Sequence, residues 1–299
     1  MIKNFLIIGC GLIGSSVLRT VSKKRIAKKI FVFEKSKKNI SKIKKLKIRL
    51  TIVKDLKKII PEMDMIIFCT PMSEYEKILI KINSSLNQKS IITDVGSTKA
   101  FFFKSIKNKL KKNVTWISSH PIAGSEVSGP EYGTSNLFFN KWCILIADKN
   151  TRKKNLNFLI KFWKSMGSKV SIMDAKKHDS IFSITSHLPH LIAYNLIKTT
   201  TDFERQKKYN LIQYSAGGLR DFSRIAASNE IMWRDIFFSN KDNLSKSIDL
   251  FIKNLKSFKK NIKSKNNKLI ISKLIEAKKV RRKIIKLKQD INKPDFGRD

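Results

Sequence analysis

Three glycines, Gly9, Gly11 and Gly14, constrain this chain more than any other feature, because they stand between an apolar run at residues 5–8 and an amphipathic stretch at 12–21. A glycine-rich turn that leaves a strand and opens a helix lets backbone approach a phosphate. Gly9 is expected to make the tight turn, Gly11 to let backbone reach a pyrophosphate, and Gly14 to let helix and strand pack closely. Leu12 and Ile13 begin the helix whose free amides and positive dipole end face the anion. Glu34 follows Gly14 by 20 residues and ends the second expected strand, where a carboxylate can accept both hydrogen bonds of a ribose diol. That carboxylate repels a 2′-phosphate, which points to NAD as the cofactor over NADP, with Lys35 and Lys37 acting in the opposite sense.

Further short apolar runs at 30–34, 51–53, 65–69, 91–94, 114–117, 143–147 and 169–173 alternate with lysine-rich stretches of helical period, the pattern of a parallel sheet flanked by helices. From Asp174 onward the texture changes to long amphipathic stretches at 188–199, 230–239 and 244–259, with a last helix at 269–288 after a polar break at 263–267. The expected architecture is an α/β Rossmann-type nucleotide-binding domain over 1–173 followed by an all-α helical domain over 174–299. No Pro/Gly/Ser linker marks the junction, so the halves should pack closely around a cleft. Cys69-Thr70-Pro71 and the segment 94–99 end the fourth and fifth strands at the carboxyl edge, which places Thr70, Pro71 and Ser97 beside the cofactor. Ser97 can also cap a helix over 98–110.

The net charge is +40, from 63 lysines and arginines against 23 aspartates and glutamates. Lysine outnumbers arginine 52 to 11 and recurs along the whole length. A nucleic-acid footprint would concentrate on one face or tail, so no nucleic-acid partner is expected. The surface should instead draw in small anions in a salt-dependent way. The basic run at 278–283 reads as a solvated helix face. Cys10, Cys69 and Cys143 are odd in number and each lies in or beside an apolar run, which implies no disulfide framework and fits a reducing cytoplasm. Residues 1–18 imitate a secretory leader, but glycines interrupt them and no small-residue cleavage site stands out. No apolar run approaches the roughly 18 residues that cross a bilayer, so a cytoplasmic chain with no membrane partner is expected.

All four histidines, His120, His178, His187 and His190, fall within 71 residues. No metal is expected: Pro189 lies between His187 and His190, no cysteine is near, and no standard zinc spacing occurs. His120 opens the segment His120-Pro121-Ile122-Ala123-Gly124-Ser125-Glu126, where a nucleotide-binding half should end, and this suits proton transfer beside a nicotinamide. Three of the eleven arginines, Arg220, Arg224 and Arg234, lie within fifteen residues. A planar fork that grips a carboxylate is what lysine cannot replace. Asp221 and Asp235 offer Arg220 and Arg234 a structural ion pair instead.

On the glycine motif, residues 94–99, 119–126 and 174–178, Ser186-His187-Leu188-Pro189-His190 and residues 216–235, the chain resembles the prephenate/arogenate (cyclohexadienyl) dehydrogenase family over nearly its whole length. The segments 120–126 and 217–224 are its most specific marks. The resemblance implies a helical second domain that forms a homodimer, and NAD(P)-dependent oxidative decarboxylation of a small-molecule substrate, prephenate or arogenate, leading to tyrosine. It implies that His120 takes the proton of the ring C4 hydroxyl as hydride leaves C4, and that Ser97 shares that hydroxyl. Arg224 would clamp the ring carboxylate with help from His190, Ser186 and His187 would line the site, and Trp233 would reach it from the partner subunit. Glu126 with Arg220 resembles an ionic gate at the cleft, although family members often carry lysine at the Arg220 position. A β-hydroxyacid or 6-phosphogluconate-type dehydrogenase would instead place a catalytic lysine on a helix, and His120 at the domain edge argues against it.

Overall fold

The computed structural model describes residues 1–147 and 151–290, with the backbone alone for 102–104. Residues 291–299, the expected end of the helical half, lie outside the described residues. Strands β1 (Ile2–Ile8), β2 (Ala27–Phe33), β3 (Thr51–Ile52), β4 (Met65–Phe68), β5 (Ile91–Asp94) and β6 (Thr115–Trp116) form one sheet in the order β3-β2-β1-β4-β5-β6, parallel throughout. The strand order reverses between β1 and β4, and the crevice beyond their carboxyl ends is where such a sheet takes ligands.

Alternation along the strands gives the sheet two buried faces. Phe5 and Ile7 of β1, with Met65 and Ile67 of β4, pack among Val17, Leu18, Phe162 and Trp163. Leu6, Ile8, Ile66 and Phe68 point the other way, among Leu56, Ile60, Tyr75 and Leu79. With both faces covered, successive residues are apolar, which is why these strands read as unbroken runs in the sequence.

The first half is not a single layer, as its alternating pattern implied. Strands β7 (Ser119–Pro121), β8 (Trp142–Ile146) and β9 (Lys169–Met173) make a separate sheet in which β7 pairs antiparallel with β8 and β8 parallel with β9. Ser119-His120-Pro121 carries no apolar run, so the sequence gives no strand signal there. Pairing with β8 imposes the extended form and sets His120 opposite Ile144.

After Asp174, whose side chain caps the next helix by accepting from Lys177 N, the described chain is helix and loop: Ala175–Phe182, Leu188–Lys207, Gly217–Ala226, Glu230–Ser239, Lys241–Lys263 and Asn267–Lys286. A π-helical segment, Ser183–His187, joins the first two and resets which side chains of the second face the sheet domain. The helical half buries little of its apolar surface. Asn267–Lys286 has no buried residue, so residues 278–283 are a solvated face, and Phe203, Leu250, Leu255, Ile262, Leu269 and Leu274 are exposed. Among the described residues no helix is long and apolar enough to cross a membrane.

Candidate active site

A cleft of about 1260 Å³ opens between the carboxyl edge of the sheet and the helical half. Its floor is the glycine turn. Gly9 adopts a φ of +86°, and a Cβ there would stand 2.7 Å from Thr70 Cγ2 and 2.9 Å from Thr70 N, so the turn after β1 presses on the loop after β4. A Cβ on Gly14 would lie 2.2 Å from the Gly9 carbonyl oxygen, and the helix Leu12–Lys23 can cross the turn only without one. A Cβ on Gly11 would meet nothing within 4 Å. That helix has no side-chain cap and no acidic residue in its first turn, which leaves its first amides to an anion.

The rest of the cofactor side is equally prepared. Glu34 is pinned just after β2: its Oε2 accepts from Cys10 N and its Oε1 from Ser36 N, each at 2.9 Å, and each oxygen keeps a further lone pair in a residue that borders the cleft. Thr70 Oγ1 is buried without a partner, and Thr70, Pro71, Leu12, Ile13 and Ser97 all border the cleft. Lys35 is engaged by Glu74 at 2.6 Å. Burial pushes the Cys10 thiol up to about 12, so it is a packing residue of the turn and no thiolate. These groups can hold a dinucleotide, with the diphosphate on the Gly11 turn and a ribose on Glu34.

His120 is 9% exposed and borders the same cleft. Its Nδ1 lies 2.8 Å from Nε2 of His178, whose Nδ1 lies 2.8 Å from Asp179 Oδ1. The Asp179 carboxylate also accepts the amides of Lys99 and Ala100, both at 2.8 Å, at the start of the helix Ala100–Ser105. A residue of the helical half thus takes two amides at the helix start where Ser97 was the expected cap. The buried Lys99 ammonium donates to Asp94 Oδ2 at 2.7 Å and to the Ser119 carbonyl at 2.6 Å, which anchors the residue preceding His120. Asp94 takes three further donors, from Gly96 N, Trp116 Nε1 and Ser118 Oγ, so neither buried charge is left unsatisfied. Burial holds His120 well below the ordinary imidazole value of 6.5, and the Lys99 ammonium acts in the same direction, as do His178 and His187 once either gains a proton. The imidazole is therefore neutral at neutral pH.

The opposite wall is helical. Arg224 Nη1 stands 3.6 Å from Glu126 Oε2, and its Nε is buried with no partner. Only the C-terminal turn of the helix Gly217–Ala226 reaches the cleft, so Arg220, one turn earlier, is exposed and off the wall. Glu126, expected to pair with Arg220, instead stands nearest Arg224. Trp233 borders the cleft of its own chain. Its ring stacks on His190 at 3.8 Å, and its Nε1 is buried without a partner.

His190 Nδ1 is 3.0 Å from the Ser186 carbonyl, which can only accept, so the neutral ring offers Nε2 as an acceptor. Burial lowers its pKa, and only the imidazolium form would add a donor to a carboxylate. His187 does not line the cleft. It is buried behind the wall with Nδ1 3.1 Å from Asn240 Nδ2, and burial lowers its pKa to about 4. Arg234 is held by Asp235 at 2.7 Å, the structural pairing the sequence allowed. Among the described residues no group of three or more His, Cys, Asp or Glu could hold a metal ion.

Residues 17–172 match the family model described as prephenate dehydrogenase, nucleotide-binding domain, and residues 174–276 match the one described as prephenate dehydrogenase, dimerization domain. The chain belongs to the prephenate dehydrogenase family. A cyclohexadienyl dehydrogenase of Zymomonas mobilis is 31% identical over 93% of this chain and 95% of its own length. A prephenate dehydrogenase of Bacillus subtilis is 30% identical over 85% of this chain and 69% of its own. The crystal structure of prephenate dehydrogenase from Aquifex aeolicus, in complex with hydroxyphenyl propionate and NAD+, is 33% identical and superposes with a TM-score of 0.88 over 95% of this chain and 99% of that one. In this dehydrogenase the pair behind His120 is what the sequence left unread. The clustering of four histidines was the signal, but spacing weighs it only against metal binding and cannot show that His178 and Asp179 continue a hydrogen-bonded line from His120.

Proposed function

We propose that this dehydrogenase oxidises prephenate with NAD, forming 4-hydroxyphenylpyruvate on the route to tyrosine. One observation carries the reading: a single cleft holds a neutral buried imidazole, a guanidinium with an unpartnered Nε, and a helix N-terminus without a side-chain cap. Bound NAD supplies the hydride acceptor. His120 takes the C4 hydroxyl proton as hydride leaves C4 and the ring carboxylate departs as CO2, then returns that proton to the ring oxygen of the phenol. Prephenate and NAD+ thus give 4-hydroxyphenylpyruvate, CO2 and NADH with no net proton release. Aromatisation drives the step, so the site needs only to orient C4 and accept one proton. Ser97 shares the hydroxyl, and Ser186, His190 and Trp233 enclose the ring. The fork of Arg224 takes the carboxylate in place of Glu126, whose partly exposed contact at 3.6 Å is weak.

Glu34 on the ribose, together with the engagement of Lys35 by Glu74, supports NAD over NADP. The first domain ends at residue 173 and the second begins at 174. The exposed apolar side chains of the helical half support a homodimer that covers them.

Two glycine variants separate fold from cofactor binding. Gly14→Ala forces a methyl group against backbone and should cost about 3 kcal/mol, read as a lower melting temperature. Gly11→Ala has room in the fold and should melt near the wild type while losing NAD affinity in a fluorescence titration. Equal melting temperatures for the two variants, or unchanged affinity for Gly11→Ala, would contradict these roles. The functional reading itself is tested by following reduced nicotinamide with prephenate and arogenate crossed against NAD and NADP. Prephenate with NAD should give the highest kcat/KM, and no reduction in any combination would overturn the proposal.

A further inference from the structure

The acceptor on His120 depends on where its single proton resides, and the groups behind it determine that. Asp179 is 0% exposed, and its carboxylate accepts from Lys99 N, Ala100 N and His178 Nδ1, each at 2.8 Å. A carboxylate only accepts, so the proton in the last contact belongs to His178 Nδ1. A neutral ring has one N–H, so His178 Nε2 is bare. The 2.8 Å contact between that nitrogen and His120 Nδ1 then needs a proton that only His120 can supply. His120 is left with Nε2 as its lone pair.

We infer that His178 and Asp179 are positioning residues that lock the proton of His120 on Nδ1 and keep Nε2 bare to accept the substrate hydroxyl proton. The two residues stand on the helix Ala175–Phe182 of the helical half, whereas His120 stands on β7 of the nucleotide-binding half. The base is therefore in its working tautomer only while the halves are packed together. Phe182 borders both rings, with centroids 5.0 Å from His120 and 4.5 Å from His178, which holds them at this angle. The reverse arrangement, with His178 donating from Nε2, would require a doubly protonated His178 or a proton donor in place of the carboxylate. The groups whose charges act on the two rings are Asp179 and Asp94, which favour a proton on His178, and Lys99 and His187, which oppose protonation of His120. Burial outweighs the carboxylates and keeps both rings neutral at neutral pH.

The tautomer can be read directly in the unmodified protein. With only four histidines, ¹⁵N-labelled imidazoles give a spectrum assignable by comparison with His120→Asn. Near pH 7.5, Nδ1 of His120 should show a protonated, pyrrole-type shift and Nε2 a bare, pyridine-type shift. The opposite pattern would overturn the inference. The kinetic arm rests on the prephenate reading. His178→Leu removes the acceptor and should lower kcat by about 10²-fold with KM little changed, whereas His178→Gln keeps an acceptor and should recover most of that loss. Asp179→Leu removes the acceptor that fixes the proton on His178 Nδ1, frees both rings to change tautomer and should lower kcat by about 10- to 10²-fold. Loss of the negative charge should also move the acidic limb of the pH profile to lower pH. Wild-type kcat in His178→Leu would refute the positioning role. A wild-type protein inactive on prephenate would refute the functional reading, and the spectra would still decide the tautomer, also if His178→Leu failed to fold.

Discussion

His120→Asn should lower kcat on prephenate by about 10²–10⁴-fold while KM changes by only a few-fold. The imidazole is the neutral acceptor at this point of the cleft, and asparagine keeps some polarity but has no group that takes a proton near neutral pH. The pH dependence gives the assignment a second handle. Burial first, then repulsion from Lys99 and from His178 or His187 when either is protonated, hold the His120 pKa well below 6.5. The reactive form is the neutral one, which predominates above that pKa. The kcat/KM profile should stay level from neutral pH down past 6.5 and decline only further into acid, as the ring gains its proton. A decline centred at 6.5 or above would mean that the titrating group is not this buried ring. A His120→Asn variant with near-normal kcat would remove His120 from the chemistry.

Arg224→Lys should raise KM for prephenate by about 10- to 100-fold with kcat changed far less, and Arg224→Ala should raise it further. The expected loss comes from geometry more than charge. A lysine ammonium could still reach Glu126 or a carboxylate, but it cannot present the two parallel N–H groups that the buried Nε and the neighbouring Nη offer. His190 cannot compensate while neutral, because its Nδ1 proton is already given to the Ser186 carbonyl. Substrate affinity unchanged in Arg224→Lys would show that the carboxylate is held elsewhere. An Arg220→Lys variant should bind prephenate as the wild type does, because Arg220 is exposed and off the cleft wall.

The parts of this molecule that sequence discloses are those set by local pattern. The glycine turn, the acidic residue that follows β2, and the apolar runs of β1, β4 and β5 follow from periodicity and from the positions of Gly9 and Gly14, which only glycine tolerates. What stayed hidden depends on tertiary contact. β7 is three residues without an apolar signal, extended because β8 pairs with it. Arg220 and Arg224 share a helix face at a spacing of four, so periodicity alone cannot tell which one meets Glu126, and only the approach of one helix end to the cleft decides it. His187 and His190 stand three apart, yet only His190 borders the cleft, while His187 is buried against Asn240. The line from Asp179 through His178 to His120, whose last contact joins residues 58 positions apart, rests on the packing of one half of the enzyme against the other.

The most direct measurement is stoichiometric: the purified enzyme is given prephenate with excess NAD, and reduced nicotinamide, evolved CO2 and aromatic product are measured together. Equal amounts of NADH, CO2 and 4-hydroxyphenylpyruvate, one of each per prephenate consumed, are predicted, whereas NADH without matching CO2, or no NADH at all, would contradict oxidative decarboxylation in this cleft.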